Sequence, residues 1–198
     1  MAAFSDVLRL GPEFSDNRDE LVRQLPCAPG ANTTRLYDAL AGSLDAFGPA
    51  NRRRVLIVFS DGADTASSLD RDAVIARARE ADAMIYAIGL TSRYIEGGRR
   101  VVRSPDVELQ HMANETGGGY VDATNAAELR TLFERIADEL HRQYLFAFTP
   151  IAADGRVHAL AFRATCPGCV VHARRSYVAP KARVARYGPM IGSRPAVS

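Results

Sequence analysis

The apolar positions of this 198-residue chain follow two patterns that alternate along it. Short continuous apolar runs occur at 55–60 ("VLIVFS") and 84–90 ("MIYAIGL"). Runs of this length are typical of strands buried on both faces of a parallel sheet. Around them, apolar residues recur at helical spacing. The alternation predicts an α/β fold: a doubly wound, Rossmann-like and mostly parallel sheet with helices on both faces.

Amphipathic helices are predicted wherever helical spacing is bounded by capping residues, proline or glycine. These segments are 16–25, 33–47, 68–83, 105–118 and 125–143. The apolar stretch 2–10 favours a strand, and the polar, glycine- and arginine-rich stretch 91–104 predicts an exposed loop. The glycines of "TGGGY" follow a helix and precede a strand, so they favour a helix C-cap over a dinucleotide-binding loop.

The C-terminal part of the chain changes to β-like segments joined by turns. The segments are 144–150, 156–165 and 170–180, with turns at Asp154-Gly155 and Pro167-Gly168. They predict an antiparallel β extension. We therefore divide the chain into an α/β domain at 1–145, a β extension at 146–180 and a disordered tail at 181–198.

Composition and charge exclude several classes of protein. The hydrophobic share of 47% and charged share of 24% are ordinary for a globular chain. A net charge of +2 gives no electrostatic basis for binding nucleic acid. No apolar run approaches the ~20 residues of a membrane span. The first residues lack the basic and apolar regions of a signal peptide.

Cys166 and Cys169 form a "CPGC" sequence with three interpretations. The simplest is the turn of a hairpin, because Pro-Gly lies between two β-like segments. A local disulfide and half of a zinc site are the alternatives. A zinc site needs about four ligands, and His158 and His172 flank the pair at spacings unlike a zinc knuckle. We favour the turn.

Asp61 lies where the strand 55–60 ends, in the sequence "SDGADT". Ligands of open α/β sheets bind at the carboxyl ends of the strands. This sequence does not fit a phosphate-binding loop, because it has only one glycine and its two acids would repel phosphate. A nucleophilic aspartate would need a lysine partner, and no Ser-His-Asp set is evident, so we expect no enzyme. A hard-cation site remains, because carboxylate and hydroxyl oxygens suit Mg²⁺.

Four segments of the chain together resemble a known family. The sequences "NTTRLYDAL", "RRVLIVFSDGADT", "AMIYAIGL" and "LQHMANETGGGYVDATNAAELRTLFERIADEL" resemble successive motifs of a von Willebrand factor type A domain. The C-terminal β-like segments resemble the strand extension of a group of bacterial type A domain proteins. The resemblance covers about residues 2–180.

The resemblance implies a metal-ion-dependent adhesion site that is built from three loops. It assigns the threonine of the second loop to Thr34, with Thr33 a weaker choice, and the aspartate of the third loop to Asp61. The implied cation is Mg²⁺, or else Mn²⁺ or Ca²⁺. Taken without the family, Thr34 could be a helix N-cap and Asp61 could close an Asx-turn.

The chain departs from the family pattern at its start, because D-x-S-x-S occurs nowhere in it. By resemblance, the first strand, its metal loop and the first helix would precede Met1. We expect Met1 to be an internal methionine of a longer protein whose relatives are secreted or associated with the cell envelope. Thr34 and Asp61 alone supply two oxygen donors, so we expect metal affinity to be weak or nil.

The resemblance implies a binding module that recognises a protein or surface ligand. The alternative is a metal-independent structural or interaction scaffold that binds partners through the loop 91–105, with Arg99, Arg100 and Arg103. A hydrolase or phosphotransfer enzyme that uses Asp61 is the weakest hypothesis.

Overall fold

The computed structural model describes most of the chain. The residues described are 1–11, 14–23, 33–48, 53–61, 63–103 and 105–181. The last two residues of the predicted helix 16–25 and the predicted tail from residue 182 onward lie outside them. Lys181 itself forms an isolated antiparallel bridge with Asp154.

From residue 36 to residue 141, helices alternate with the central strands as the apolar pattern predicts, with one hairpin inserted at 92–103. The helices are α1 (Arg18–Arg23), α2 (Leu36–Asp45), α3 (Arg71–Glu80), α4 (Glu108–Thr116) and α5 (Ala126–His141). The strands are β1 (Ala2–Phe4), β2 (Leu8–Leu10), β3 (Arg54–Ser60), β4 (Ala83–Leu90), β5 (Ser92–Glu96), β6 (Arg99–Arg103), β7 (Tyr120–Ala123), β8 (Val157–Ala159) and β9 (Ser176–Val178).

The central sheet is parallel and has the order β3-β4-β7. β3 and β4 pair along their full common length, from Arg54 opposite Ala83 to Ser60 opposite Gly89. β7 pairs only with the carboxyl half of β4. The loops that follow β3, β4 and β7 therefore lie at one edge of the sheet, which we call the carboxyl edge.

Helices cover both faces of this sheet, which confirms the predicted doubly wound arrangement. On one face α2, α3 and α4 pack on alternate strand residues, including Val58 and Ile85. On the other face α5 packs through Leu132 and Ile136 onto Tyr86 and its neighbours. Strands between two apolar layers need apolar side chains at every position, which is why the runs at 55–60 and 84–90 do not alternate.

β3 is the outer strand of the central sheet within the described residues. Its apolar residues Val55, Leu56, Ile57 and Phe59 are only half-buried. β1 and β2 form a separate antiparallel hairpin that also packs on α2, where Ser5 accepts a hydrogen bond from the Arg35 amide at 2.8 Å. The stretch 2–10 is thus two short strands, not the single strand that was predicted.

The prediction of an exposed loop at 91–104 is wrong. Residues 92–103 form the antiparallel hairpin of β5 and β6. Gly97 and Gly98 make its turn with φ of +57° and +78°, values that favour glycine and match a two-residue hairpin turn. The polar composition of this segment indicates a loop, but the Gly-Gly pair inside it is a hairpin signal.

The antiparallel β extension is present but smaller than predicted. Only β8 and β9 pair, together with the Asp154–Lys181 bridge. Residues 144–150 are outside any strand, although β-like residues fill them. The predicted turn at Pro167-Gly168 is confirmed, with Gly168 at a φ of +75°. A disulfide between Cys166 and Cys169 closes the same turn, so the turn and the disulfide are not alternatives.

Candidate functional site

Asp64, three residues beyond Asp61, joins two loops at the carboxyl edge. Its Oδ1 accepts hydrogen bonds from the amides of Leu36 (2.7 Å) and Tyr37 (3.3 Å), at the first turn of α2. The Ser67 hydroxyl also donates to Oδ1, and the Ser67 amide donates to Oδ2. A carboxylate at a helix N-terminus satisfies unpaired N–H groups and is favoured by the helix dipole. Asp64 therefore holds the loop after β3 against α2.

Asp106, just before α4, extends this connection to a third loop. It is 7% exposed, and its Oδ2 accepts from the Asp64 amide at 2.9 Å and the Tyr37 hydroxyl at 3.1 Å. Its Oδ1 accepts from the Glu108 amide at 2.8 Å. Burial, and then the charge of Asp106, raises the pKa of Tyr37 above its usual value, so the phenol stays protonated as a donor. Three loops are thus fixed relative to one another.

Thr34 lies in the loop before α2 and is half-buried. Its amide donates to Thr65 Oγ1 at 2.8 Å, and its carbonyl accepts from the Thr65 amide at 2.9 Å. The structure therefore brings the Thr34 loop against the loop that contains Asp61. The alternative role of Thr34 as a helix N-cap is wrong, because Arg35 occupies that position and Asp64 supplies the capping oxygen.

Asp61 directly follows β3, and its side chain is exposed. Among the described residues, it takes part in no side-chain hydrogen bond or ion pair. It is thus free to contact a ligand at the carboxyl edge. Asp64 and Asp106, by contrast, use both of their carboxylate oxygens within the fold.

The donor chemistry of this edge fits a divalent cation only in part. Thr34 and Asp61 supply a hydroxyl and a carboxylate, which are suitable oxygen ligands. Within the described ranges, no group of three or more His, Cys, Asp or Glu residues is arranged to hold a metal ion. The buried Asp106 cannot turn to a metal without leaving N–H and O–H donors unpaired, which costs about 1–3 kcal/mol each. A complete cation site does not follow from these residues.

Asp38, an acidic residue of α2, also holds the loop that follows β3. Asp38 accepts from the amides of Ser68 and Leu69, each at 3.0 Å, and lies near Arg35. Burial raises the pKa of Asp38, but the two N–H donors and the Arg35 charge outweigh it, so the pKa is lowered from 3.8. Asp38 therefore stabilises the folded chain above that value, and the contribution is lost as the pH falls through the lower folded pKa.

Sequence reasoning selected Asp61 and missed Asp64 and Asp106. All three acids follow or precede predicted elements, and their positions alone do not rank them. A signal for Asp106 was present, because an acid two residues before the first helical residue is typical of a helix start. The arginines of the predicted loop, Arg99 and Arg100, are exposed on β6.

With this geometry in place, comparison with known proteins bears on the fold. No family model and no curated protein matches the chain. A solved structure, the conserved hypothetical protein BatB from Bacteroides thetaiotaomicron, is 16% identical over 72% of this chain and 78% of its own, with a TM-score of 0.50. An aerotolerance-related membrane protein from Bacteroides fragilis is 19% identical over 70% of this chain and 78% of its own, also with a TM-score of 0.50.

These likenesses support a type A-like fold. At such identities they concern the fold alone. A third solved structure, an uncharacterized membrane spanning protein from Vibrio fischeri, is 24% identical over 70% of this chain and 74% of its own, with a TM-score of 0.37. In the part of this chain that the structure describes, no helix is long and apolar enough to cross a membrane.

Proposed function

We propose that this chain is a type A-like binding module that recognises a protein or surface ligand at the carboxyl edge of its sheet. The observation that carries the proposal is the Tyr37–Asp106–Asp64 network. It fixes three loops while Asp61 stays exposed beside them. Rigid loops with available polar groups at this edge are the usual place for ligands in open α/β sheets. The network holds the loops, and the ligand contacts their outer residues.

In this proposal Thr34 and Asp61 are what this chain retains of a divalent-cation site, and the module does not depend on Mg²⁺, Mn²⁺ or Ca²⁺. Two protein oxygens hold a hard cation weakly, because Mg²⁺ keeps most of its water in such sites. The chain carries out no catalysis. A metal-independent scaffold that uses the exposed β5–β6 hairpin is the second candidate, supported by the exposure of Arg99 and Arg100.

The metal part of the proposal is tested by thermal melts with and without millimolar Mg²⁺ or Mn²⁺. We expect no shift in the melting temperature, for the wild-type chain or for Asp61→Ala. A cation bound only by the native state would stabilise it by ~2.7 kcal/mol at a hundredfold excess over Kd. A metal-dependent rise that is lost in Asp61→Ala, but kept in Asp138→Ala, would show a working cation site and overturn this part.

The binding role is tested by a photo-crosslinking side chain placed at position 61 or at position 138. Asp138 is also exposed, but it lies on α5 near Leu140, whose carbonyl accepts from Arg53 at the opposite edge of the sheet. We expect position 61 to capture a discrete partner from a bacterial envelope extract and position 138 to capture none. Equal capture at both positions, or no capture at position 61, would contradict the proposal.

A further inference from the structure

An open cleft of about 390 Å³ lies at the carboxyl edge, on the β7 side of Asp106. Such a volume is within the range of small-ligand sites. Its lining comes from the ends of β4 and β7 and from the start of α4. The lining residues are Thr91, Pro105, Val107, Gln110, Tyr120 and Asp122.

The floor of the cleft is fixed by close packing on β4. A methyl group added at Gly89 would come within 2.4 Å of the Tyr120 hydroxyl and 2.6 Å of Pro105 Cγ. The phenol and the proline ring therefore rest directly on the β4 backbone. The Tyr120 hydroxyl donates to Asp122 Oδ1 at 2.6 Å. Burial, and then this carboxylate, raises the pKa of Tyr120, so the phenol stays protonated and orients Asp122.

The polar side chains of the cleft include three acceptors, the Asp122 carboxyl and the side-chain oxygens of Thr91 and Gln110, and the last two side chains can also donate. Asp122 is the one acidic side chain among the described lining residues, and only its Oδ1 takes a hydrogen bond from another described residue. The side chains of Thr91 and Gln110 make none within the described part of the chain. Pro105 and Val107 add apolar surface next to these groups. None of the described lining residues is basic, and the acidic Asp122 disfavours phosphate and carboxylate ligands.

We propose that this cleft binds the arginine side chain of a protein partner. Asp122 accepts from the guanidinium, the Gln110 and Thr91 oxygens accept its remaining N–H groups, and Pro105 and Tyr120 contact its flat face and alkyl chain. Guanidinium suits the site because it offers several donors in one plane and stacks on aromatic rings. This inference rests on the proposed binding function and names the chemistry of its partner.

The test uses a short probe peptide, acetyl-Gly-Arg-Gly-amide, and the same peptide with citrulline, which keeps the shape without the charge. Binding is followed by amide chemical shifts of the ¹⁵N-labelled chain. We expect the arginine peptide to shift the amides of Thr91, Gln110 and Asp122, and to bind more weakly as salt is added. The citrulline peptide should bind at least about tenfold more weakly, as expected for losing a charge-assisted bidentate contact.

Asp122→Asn should weaken binding of the arginine peptide by about tenfold, and the variant should no longer bind this peptide more tightly than the citrulline peptide. Asp138→Asn makes the same change at an exposed site on α5 and should leave binding unchanged. Gln110→Ala is a second variant, expected to weaken binding by about threefold without affecting the Tyr120–Asp122 contact. The same spectra show whether each variant is folded. Equal binding of the two peptides, or full binding by Asp122→Asn, would overturn the inference.

The two proposals can fail separately. If crosslinking at position 61 captures a partner but the peptides do not discriminate at the cleft, the binding module stands and the arginine site is wrong. If the arginine peptide binds at Asp122 but position 61 captures nothing, the cleft stands and the role of the Asp61 loop is wrong.

Discussion

Gly118→Ala is expected to lower the free energy of unfolding by at least about 3 kcal/mol. A methyl group at this position would lie 2.0 Å from the carbonyl oxygen of Ile85 and 2.7 Å from its carbonyl carbon. No flexible side chain can move away, because the obstacle is the backbone of β4. That strand is held by its pairing with β3 and by the Thr116 hydroxyl, which accepts from the Ile85 amide at 3.0 Å.

Urea unfolding followed by circular dichroism measures this effect. For a chain of this size, the expected loss corresponds to roughly 6–12 °C in melting temperature. Gly119→Ala is the matched control in the same turn. Its added methyl group would meet Tyr86 and His172 at 3.4–3.5 Å, which is ordinary contact, so we expect a change within about 1 kcal/mol. Equal stability of the two variants would show that β4 and this turn are packed differently.

Asp64→Ala is expected to cost about 2–4 kcal/mol of stability, far more than Asp61→Ala. The change removes the acceptor for the Leu36 and Tyr37 amides and for Ser67. Leu36 is fully buried, so its N–H has no water to replace the carboxylate. Asp61 is exposed and bonds to no other described side chain, so its replacement should change stability by no more than about 0.5 kcal/mol.

Chemical denaturation gives the two free energies, and amide hydrogen exchange localises the effect. In Asp64→Ala the amides of Leu36 and Tyr37 should exchange faster than in the wild-type chain, while those of β4 change only with global stability. Asp64→Asn keeps one acceptor oxygen, so its free energy of unfolding should lie between those of Asp64→Ala and the wild-type chain. A larger loss for Asp61→Ala than for Asp64→Ala would contradict the assignment of structural and exposed roles.

These two predictions also show where the sequence was sufficient. The runs at 55–59 and 84–90 contain no charged or alternating polar positions, and such a strand must be covered on both faces. That property predicts helices on both sides, and α5 lies opposite α2, α3 and α4 as expected. The glycines after α4 are another such case, since Gly117 ends that helix in a left-handed conformation with φ of +82°.

The sequence was not sufficient where strand formation depends on a neighbouring strand. The segment 144–150 is apolar and aromatic, yet no described strand pairs with it, and Leu145 is 93% exposed. The strand preference of a residue describes how well it fits a pleated surface beside neighbouring strands. It does not show whether a neighbouring strand is present. The hairpin of β5 and β6 is the reverse case, a polar segment whose two strands pair across a Gly-Gly turn.

The sequence by itself determined the order of the helices and of the central strands, the two-sided core and the position of an acidic loop at the carboxyl edge. These depend on hydrophobic period and on local capping, which act over a few residues. Only the tertiary structure decided which acidic residues hold the loops together and which one stays exposed. The Asp64 carboxylate reaches Leu36 across 28 residues of sequence, and Asp106 reaches Tyr37 across 69. Such hydrogen bonds depend on how α2, α4 and β3 pack together, so no local pattern distinguishes Asp64 from Asp61.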